Sequence, residues 1–169
     1  MKINSLILLI VVFLFAGVSF GQNSKKQKII QGKICGNPNI KCNTNETVFN
    51  DSDIQFELPG NYVIYESEPF YAIILRSNKI TDRFGGEETC KEAATETERL
   101  DTQKFFPNNK VFIQNCGYGA IIYTEDTVFL AVFAGKSLTQ AKSFLTTVAK
   151  TGKFKGAYIK KLQASLNGT

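Results

Sequence analysis

The sequence predicts an α+β domain: a four-stranded antiparallel sheet with two helices on one face, preceded by an N-terminal β-hairpin. Three observations predict it. Short runs rich in β-branched and aromatic residues, such as Phe70-Tyr71-Ala72-Ile73-Ile74-Leu75, are bounded by turn-forming residues. Two segments carry helix-start signatures, Thr89 with Glu92 and Ser137 with Gln140. From Phe70 onward the order is strand, helix, strand, strand, helix, strand, which is the split β-α-β pattern.

The chain opens with Lys2, an apolar run from Leu6 to Val18 and then Ser19 and Gly21. A basic start, a greasy centre and small residues at the end are the parts of a secretory signal peptide, residues 1–21. The unbroken run of 13 residues is shorter than the roughly 20 needed to cross a bilayer. No cysteine follows it to take a lipid, and no later segment is apolar enough to span a membrane. Removing 21 of the 169 residues leaves 148, enough for one domain with its own core.

Residues 22–54 are polar and read as a tether. Asn45-Glu46-Thr47 and Asn50-Asp51-Ser52 within it are glycosylation sequons if the host is eukaryotic. Residues 55–68 read as a hairpin, with Ile54-Gln55-Phe56-Glu57-Leu58 and Tyr62-Val63-Ile64-Tyr65-Glu66 joined at Pro59-Gly60-Asn61. The strand at Phe70–Leu75 is apolar on both faces: Phe70, Ala72, Ile74 and Arg76 share one side, and Tyr71, Ile73, Leu75 and Ser77 the other. A helix is expected from about Cys90 to Lys104, capped by Thr89, with Ala93, Ala94, Thr97 and Leu100 as its apolar stripe. Lys110–Gln114 is the next strand. Ala120–Tyr123 and Thr127–Phe133 form a hairpin around Glu125-Asp126. The second helix is the best-marked element: Ser137 and Gln140 form a capping box, Ala141, Phe144, Leu145 and Val148 recur at helical spacing, and Gly152 stops it. Gly156-Ala157-Tyr158-Ile159 closes the sheet, and Lys160–Leu166 is a short tail. The whole order is ferredoxin-like.

Cys35, Cys42, Cys90 and Cys116 are an even number in an exported chain, so two disulfides are expected. Of the three pairings, Cys35–Cys42 closes a short polar loop. Cys90–Cys116 joins the start of the first helix to the end of the second strand, which this topology puts at one edge of the sheet. No Cys-x-x-Cys spacing occurs, so no metal site is expected.

Histidine and tryptophan are absent. Without histidine there is no Ser-His or Cys-His pair, and no His-ligated zinc. Glu96 and Glu98, two apart on a helix, do not share a face. The chain therefore reads as no enzyme, and no cofactor is expected. The mature chain carries 19 basic and 15 acidic residues. Its lysines at 142, 150, 153, 155, 160 and 161 are dispersed, which fits a solvated face and not nucleic acid.

The stretch Phe129–Ser137, the helix Leu138–Lys150 and Gly152–Leu162, with its Gly156-Ala157-Tyr158-Ile159, resemble the second half of a SPOR domain. That family is the sporulation-related repeat of bacterial envelope proteins. In the first half, Tyr71-Ala72-Ile73-Ile74-Leu75-Arg76-Ser77 stands where the family has a strand ending near Q-V-G-S-F. Ser77 matches that signature, whereas Ile74 and Arg76 replace its glutamine and glycine. The resemblance covers residues 69–164. It implies a periplasmic or extracellular module that binds peptidoglycan glycan strands, or an envelope protein, on the sheet face away from the helices. That face should hold Ile74 and, from the Thr127–Phe133 strand, Val128, Leu130 and Val132. It is more apolar than a sugar platform, so either the 55–68 hairpin covers it, the reading we favour, or it is a patch for a protein partner. If covered, glycan binding is either lost or moved to the rim, where Arg76, Ser77, Asn78, Lys110, Lys136 and Tyr158 are the candidates. A secreted interaction or inhibitor module is the alternative.

Overall fold

The computed structural model describes residues 30–45, 47–58, 60, 64–80, 90–116, 121–122 and 127–167. The signal segment, residues 22–29 and the turns expected at Gly117–Gly119 and Glu125-Asp126 lie outside them. The described elements, in chain order, are β1 (Ile30–Gly32), β2 (Ile64–Ser67), β3 (Phe70–Lys79), α1 (Glu96–Gln103), β4 (Val111–Gln114), β5 (Ile121–Ile122), β6 (Thr127–Gly135), α2 (Leu138–Lys150), β7 (Tyr158–Leu162) and β8 (Ala164–Asn167). They form a mixed α+β structure with two four-stranded sheets, ordered β4-β6-β3-β7 and β1-β2-β8-β5. In the first sheet every neighbour is antiparallel, so β3 and β4 run parallel to each other with β6 between them.

The central strands β3 and β6 are apolar on both sides because both sides are covered. On one side Ile73, Leu75, Val111, Ile113, Leu130 and Val132 pack under Ala141 and Val148 of α2 and under Ala94 and Phe106, which flank α1. On the other, Phe70, Ala72, Ile74, Phe112, Phe129 and Ala131 meet Ile34, Phe49, Ile54, Phe56, Leu58, Tyr65, Ala164 and Leu166. Each fully buried phenylalanine or isoleucine contributes about 1.5–3 kcal/mol. The alternation expected for Phe70–Leu75 holds. That expected for β6 does not: Leu130 and Val132 face the helices, and Phe129 and Ala131 face away. The reason is register, since paired residues share a face and Ile73 pairs with Val132 while Ile74 pairs with Ala131.

A register shift between Ile74 and Arg76 then reverses the parity of β3. The extra residue of such a bulge turns the following side chains to the opposite face. Arg76, expected beside Ile74, is instead carried to the helix side, where its Nη2 donates to Glu98 Oε1 at 2.9 Å.

The face away from the helices is closed, but not by a hairpin. Residues 54–58 make one isolated bridge, Phe56 to Ile34, and β2 pairs with β1 in parallel and with β8 in antiparallel. The expected tether is likewise structure from residue 30 onward: it supplies a strand and the buried Ile34, Phe49 and Ile54. Nor is the C-terminal segment a tail, because Ala164–Asn167 is the strand between β2 and β5. Ile121-Ile122 pairs with that strand and not with β6. Ile30–Gly32 and Ala164–Asn167 lack an apolar face wide enough to show in sequence and become strands by pairing with β2, whereas the segments that do read as strands find other partners than their chain neighbours.

The second helix matches its signature fully, with Ser137 Oγ accepting from the Gln140 amide and Gly152 at φ 68° after the last turn. The first begins six residues later than expected. Thr95 with Glu98 forms its capping box, and the expected cap Thr89 lies outside the described residues. The Glu92 carboxylate instead accepts from the Cys116 amide at 3.1 Å, and the Lys91 and Glu92 carbonyls accept from Asn78 Nδ2. Those bonds, with the Cys90–Cys116 disulfide, hold residues 90–94 outside the helix. The buried positions of α1 are Arg99 and Thr102, while Leu100 is half-exposed. Both disulfides pair as expected.

Candidate functional site

The six rim candidates do not meet at one place. Arg76, Ser77 and Asn78 lie at the end of β3 that pairs with Thr127–Leu130. Arg76 and Asn78 are engaged there, one with Glu98 and the other with the carbonyls before α1, so they tie β3 to the α1 segment. Tyr158 pairs with Ile74 on the outer strand β7 and is 44% exposed. Lys110 and Lys136 are at the opposite end of β3, where Tyr71 pairs with Gly135. The fold brings these two lysines to the Cys35–Cys42 loop.

That loop is held against the sheet by the turns on either side of it. Asn37 Oδ1 accepts from the Asn39 amide at 2.9 Å, a local turn of the kind asparagine favours. Asn39 Nδ2 donates to the Pro107 carbonyl and to Asn108 Oδ1. The Gly36 carbonyl accepts from the Lys110 amide at 2.8 Å, and the Cys35 amide donates to the Gln55 carbonyl at 2.9 Å. The disulfide then closes the loop over a separation of seven residues. Ile40 at its tip is 66% exposed.

A cleft opens on each side of the loop. The first, about 310 Å³, runs from the loop to Lys33, Glu57, Asn108, Asn109, Phe133 and Lys136. The second, about 370 Å³, runs to Thr44, Phe49, Asp51, Gln55 and Lys110. Lys41 and Asn37 border both. Lys136 Nζ lies 2.6 Å from Glu68 Oε1, which also accepts from the Ile34 amide at 3.0 Å. Lys110 Nζ donates to the Asp51 carbonyl at 2.6 Å. Burial pushes the Lys110 ammonium below its ordinary pKa, and the nearby Arg99 charge pushes the same way against Asp51, Glu96 and Asp53.

Chemically, the first cleft offers amide side chains that donate and accept, three ammonium groups and an apolar wall from Phe133. That set suits a polar ligand carrying hydroxyls and carboxylates. Asn37 falls within the segment that reads as a tether, and Lys33, Lys41, Asn108 and Asn109 are not among the sequence candidates. Two asparagine-rich turns were the available signal, but only the fold brings residues 37–41 against residues 107–109. Among the described residues no cluster of metal-ligating side chains occurs, and no helix is long and apolar enough to cross a membrane. Comparison of the chain with family models, with curated proteins and with solved structures finds no match in any of the three.

Proposed function

We propose that this chain is an exported, non-catalytic binding module of SPOR type that engages peptidoglycan at the rim of its sheet, beside the Cys35–Cys42 loop. The strand order β4-β6-β3-β7, with a helix after β3 and another after β6, supports reading residues 69–164 as a ferredoxin-like split β-α-β unit. The two disulfides are compatible with an oxidising compartment. One observation carries the choice of site. Phe56, Tyr65 and Leu166 cover the face that the resemblance would give to glycan, leaving no open sheet platform among the described residues. The concavity beside the loop, which Glu57 also lines and where Lys136 is paired with Glu68, combines an apolar wall of Ile34, Ile40 and Phe133 with Lys33, Asn37, Lys41 and Asn108, which can partner hydroxyls and carboxylates. Its volume lies at the lower end of the range for small-ligand sites, which fits one or two sugar rings at a time.

Sedimentation of the purified chain with intact sacculi and with amidase-treated sacculi tests this. Retention on either, reduced by Lys41→Glu/Asn108→Ala and untouched by Ser77→Ala, is the expected result. No retention on either preparation overturns it. The second reading, a secreted interaction or inhibitor module, rests on the exposed Ile40 at the loop tip. A stoichiometric protein partner without glycan retention would select it.

A further inference from the structure

From Thr127 to Thr169 the chain carries seven lysines and no aspartate or glutamate. Every acidic side chain of the protein precedes Thr127. Lys136 belongs to the loop site, but the other six fall on α2, on β7 and on the turn between them. Ion pairs among the described residues engage Arg76, Arg99, Lys104 and Lys136. They engage none of Lys150, Lys153, Lys155, Lys160 and Lys161. Of these, Lys153 lies over the Phe105 ring at 4.3 Å.

One of these lysines, Lys155, borders a groove. At the C-terminal end of α2, Leu145 and Ala149 face Phe154 and Ala157 across a concavity of about 470 Å³, with Lys155 on its border. Beside it runs β7, the last strand in its sheet order, whose outer edge pairs with no described strand. The ladder groups of such an edge are open to pairing with another extended chain.

We propose that this edge and groove form a docking surface for an acidic, apolar-containing peptide segment of a partner protein, bound as an added strand along β7. An extended segment places alternate side chains on opposite faces. Its backbone pairs with β7, apolar side chains on the helix side enter the groove against Leu145 and Phe154, which Lys155 borders, and the alternate carboxylates on the opposite face meet Lys160, which pairs with Ala72 in the register. A second copy of this chain fits less well, because it would bring a second set of these lysines and no acidic residue of the segment after Thr127 to the same edge, and like charges close across strands are destabilising. A membrane surface fits less well, since the apolar element is a concavity and a bilayer is met by side chains that protrude. This surface lies on a different edge from the loop and does not depend on glycan binding.

The test is a titration of the purified, disulfide-bonded, ¹⁵N-labelled chain with a ten-residue peptide alternating valine or leucine with glutamate. A matched peptide with lysine for glutamate and vesicles of phosphatidylglycerol are run beside it. Amide shifts confined to residues 149–162, with affinity about 10-fold weaker in Lys155→Glu/Lys160→Glu, support the proposal. Ala149→Trp, which fills the groove without altering charge, should weaken binding as well, and high salt should lessen it. Each variant is first shown to melt like the wild type. Absent shifts, shifts elsewhere, equal binding of the lysine peptide, or binding to vesicles and not to peptide each overturn it.

Discussion

A β-carbon placed on Gly36 would overlap the ring of Phe133, so the loop backbone lies directly on the aromatic side chain of β6. The contact brings the Gly36 carbonyl to the Lys110 amide and sets the wall of the first cleft. Gly36→Ala should therefore destabilise the protein by about 1–3 kcal/mol, as overpacking does. Phe133→Leu in the same chain should recover part of that loss. Urea unfolding of the two single variants and the double gives the coupling, and a stable Gly36→Ala variant would refute the close approach.

The two disulfides close loops of different size, with separations of 7 and 26 residues. On chain entropy alone, the shorter should contribute roughly 2.5 kcal/mol and the longer roughly 3.5 kcal/mol. Cys90→Ser/Cys116→Ser should thus lower the melting temperature more than Cys35→Ser/Cys42→Ser. Only the latter should abolish retention by the loop clefts. Calorimetry of both variants settles the order, and a reversed order would show that the entropic term does not dominate.

Ser165 on β8 is 2% exposed, and its hydroxyl finds no hydrogen-bond partner among the described residues. A buried hydroxyl without a partner costs about 1–3 kcal/mol. Replacing it with a methyl group removes that cost at little change in volume. Ser165→Ala is expected to leave stability unchanged or raise it by about 1 kcal/mol, measured as the urea midpoint. A marked loss would mean that the hydroxyl is satisfied.

Arg99 is 4% exposed and donates to Glu96 Oε2 from Nε at 2.7 Å and to the Val111 carbonyl from Nη1. The hydrogen bond from Arg99 holds the Glu96 carboxyl below its ordinary value of 4.5. The Thr95 amide and then Arg76 do the same for Glu98. A carboxylate whose pKa falls on folding contributes stability that is complete above its unfolded pKa and is lost as pH drops through its folded one. The wild type should therefore lose melting temperature below about pH 4.5. Glu96→Gln/Glu98→Gln should start lower at neutral pH and lose less, so that the curves converge in stronger acid. The Glu96 share is under about 1 kcal/mol, because its carboxylate is half-exposed. Parallel curves would exclude this source. Arg99→Ala leaves a cavity and an unpaired carbonyl in the core, and should cost about 3 kcal/mol.

The sequence by itself determined what depends on neighbours within a few residues. Ser137, Gln140 and Gly152 specify both ends of α2, the apolar run at Phe70–Leu75 specifies a strand with two buried faces, and the even cysteine count specifies two disulfides, of which Cys90–Cys116 needed the topology to pair. Tertiary structure alone decided which strands pair and which faces close. Ile64–Ser67 has two partners, one 35 residues earlier, as Tyr65 with Ile30, and one 99 residues later, as Glu66 with Ser165. A bulge after Ile74 reverses Arg76, and α1 starts only at Glu96 because Asn78 and Cys116 engage Lys91 and Glu92. The physical reason is range. Caps and periodicity are read from local backbone geometry, whereas register, coverage and the meeting of Lys41 with Asn108 are fixed by burial summed over the whole core.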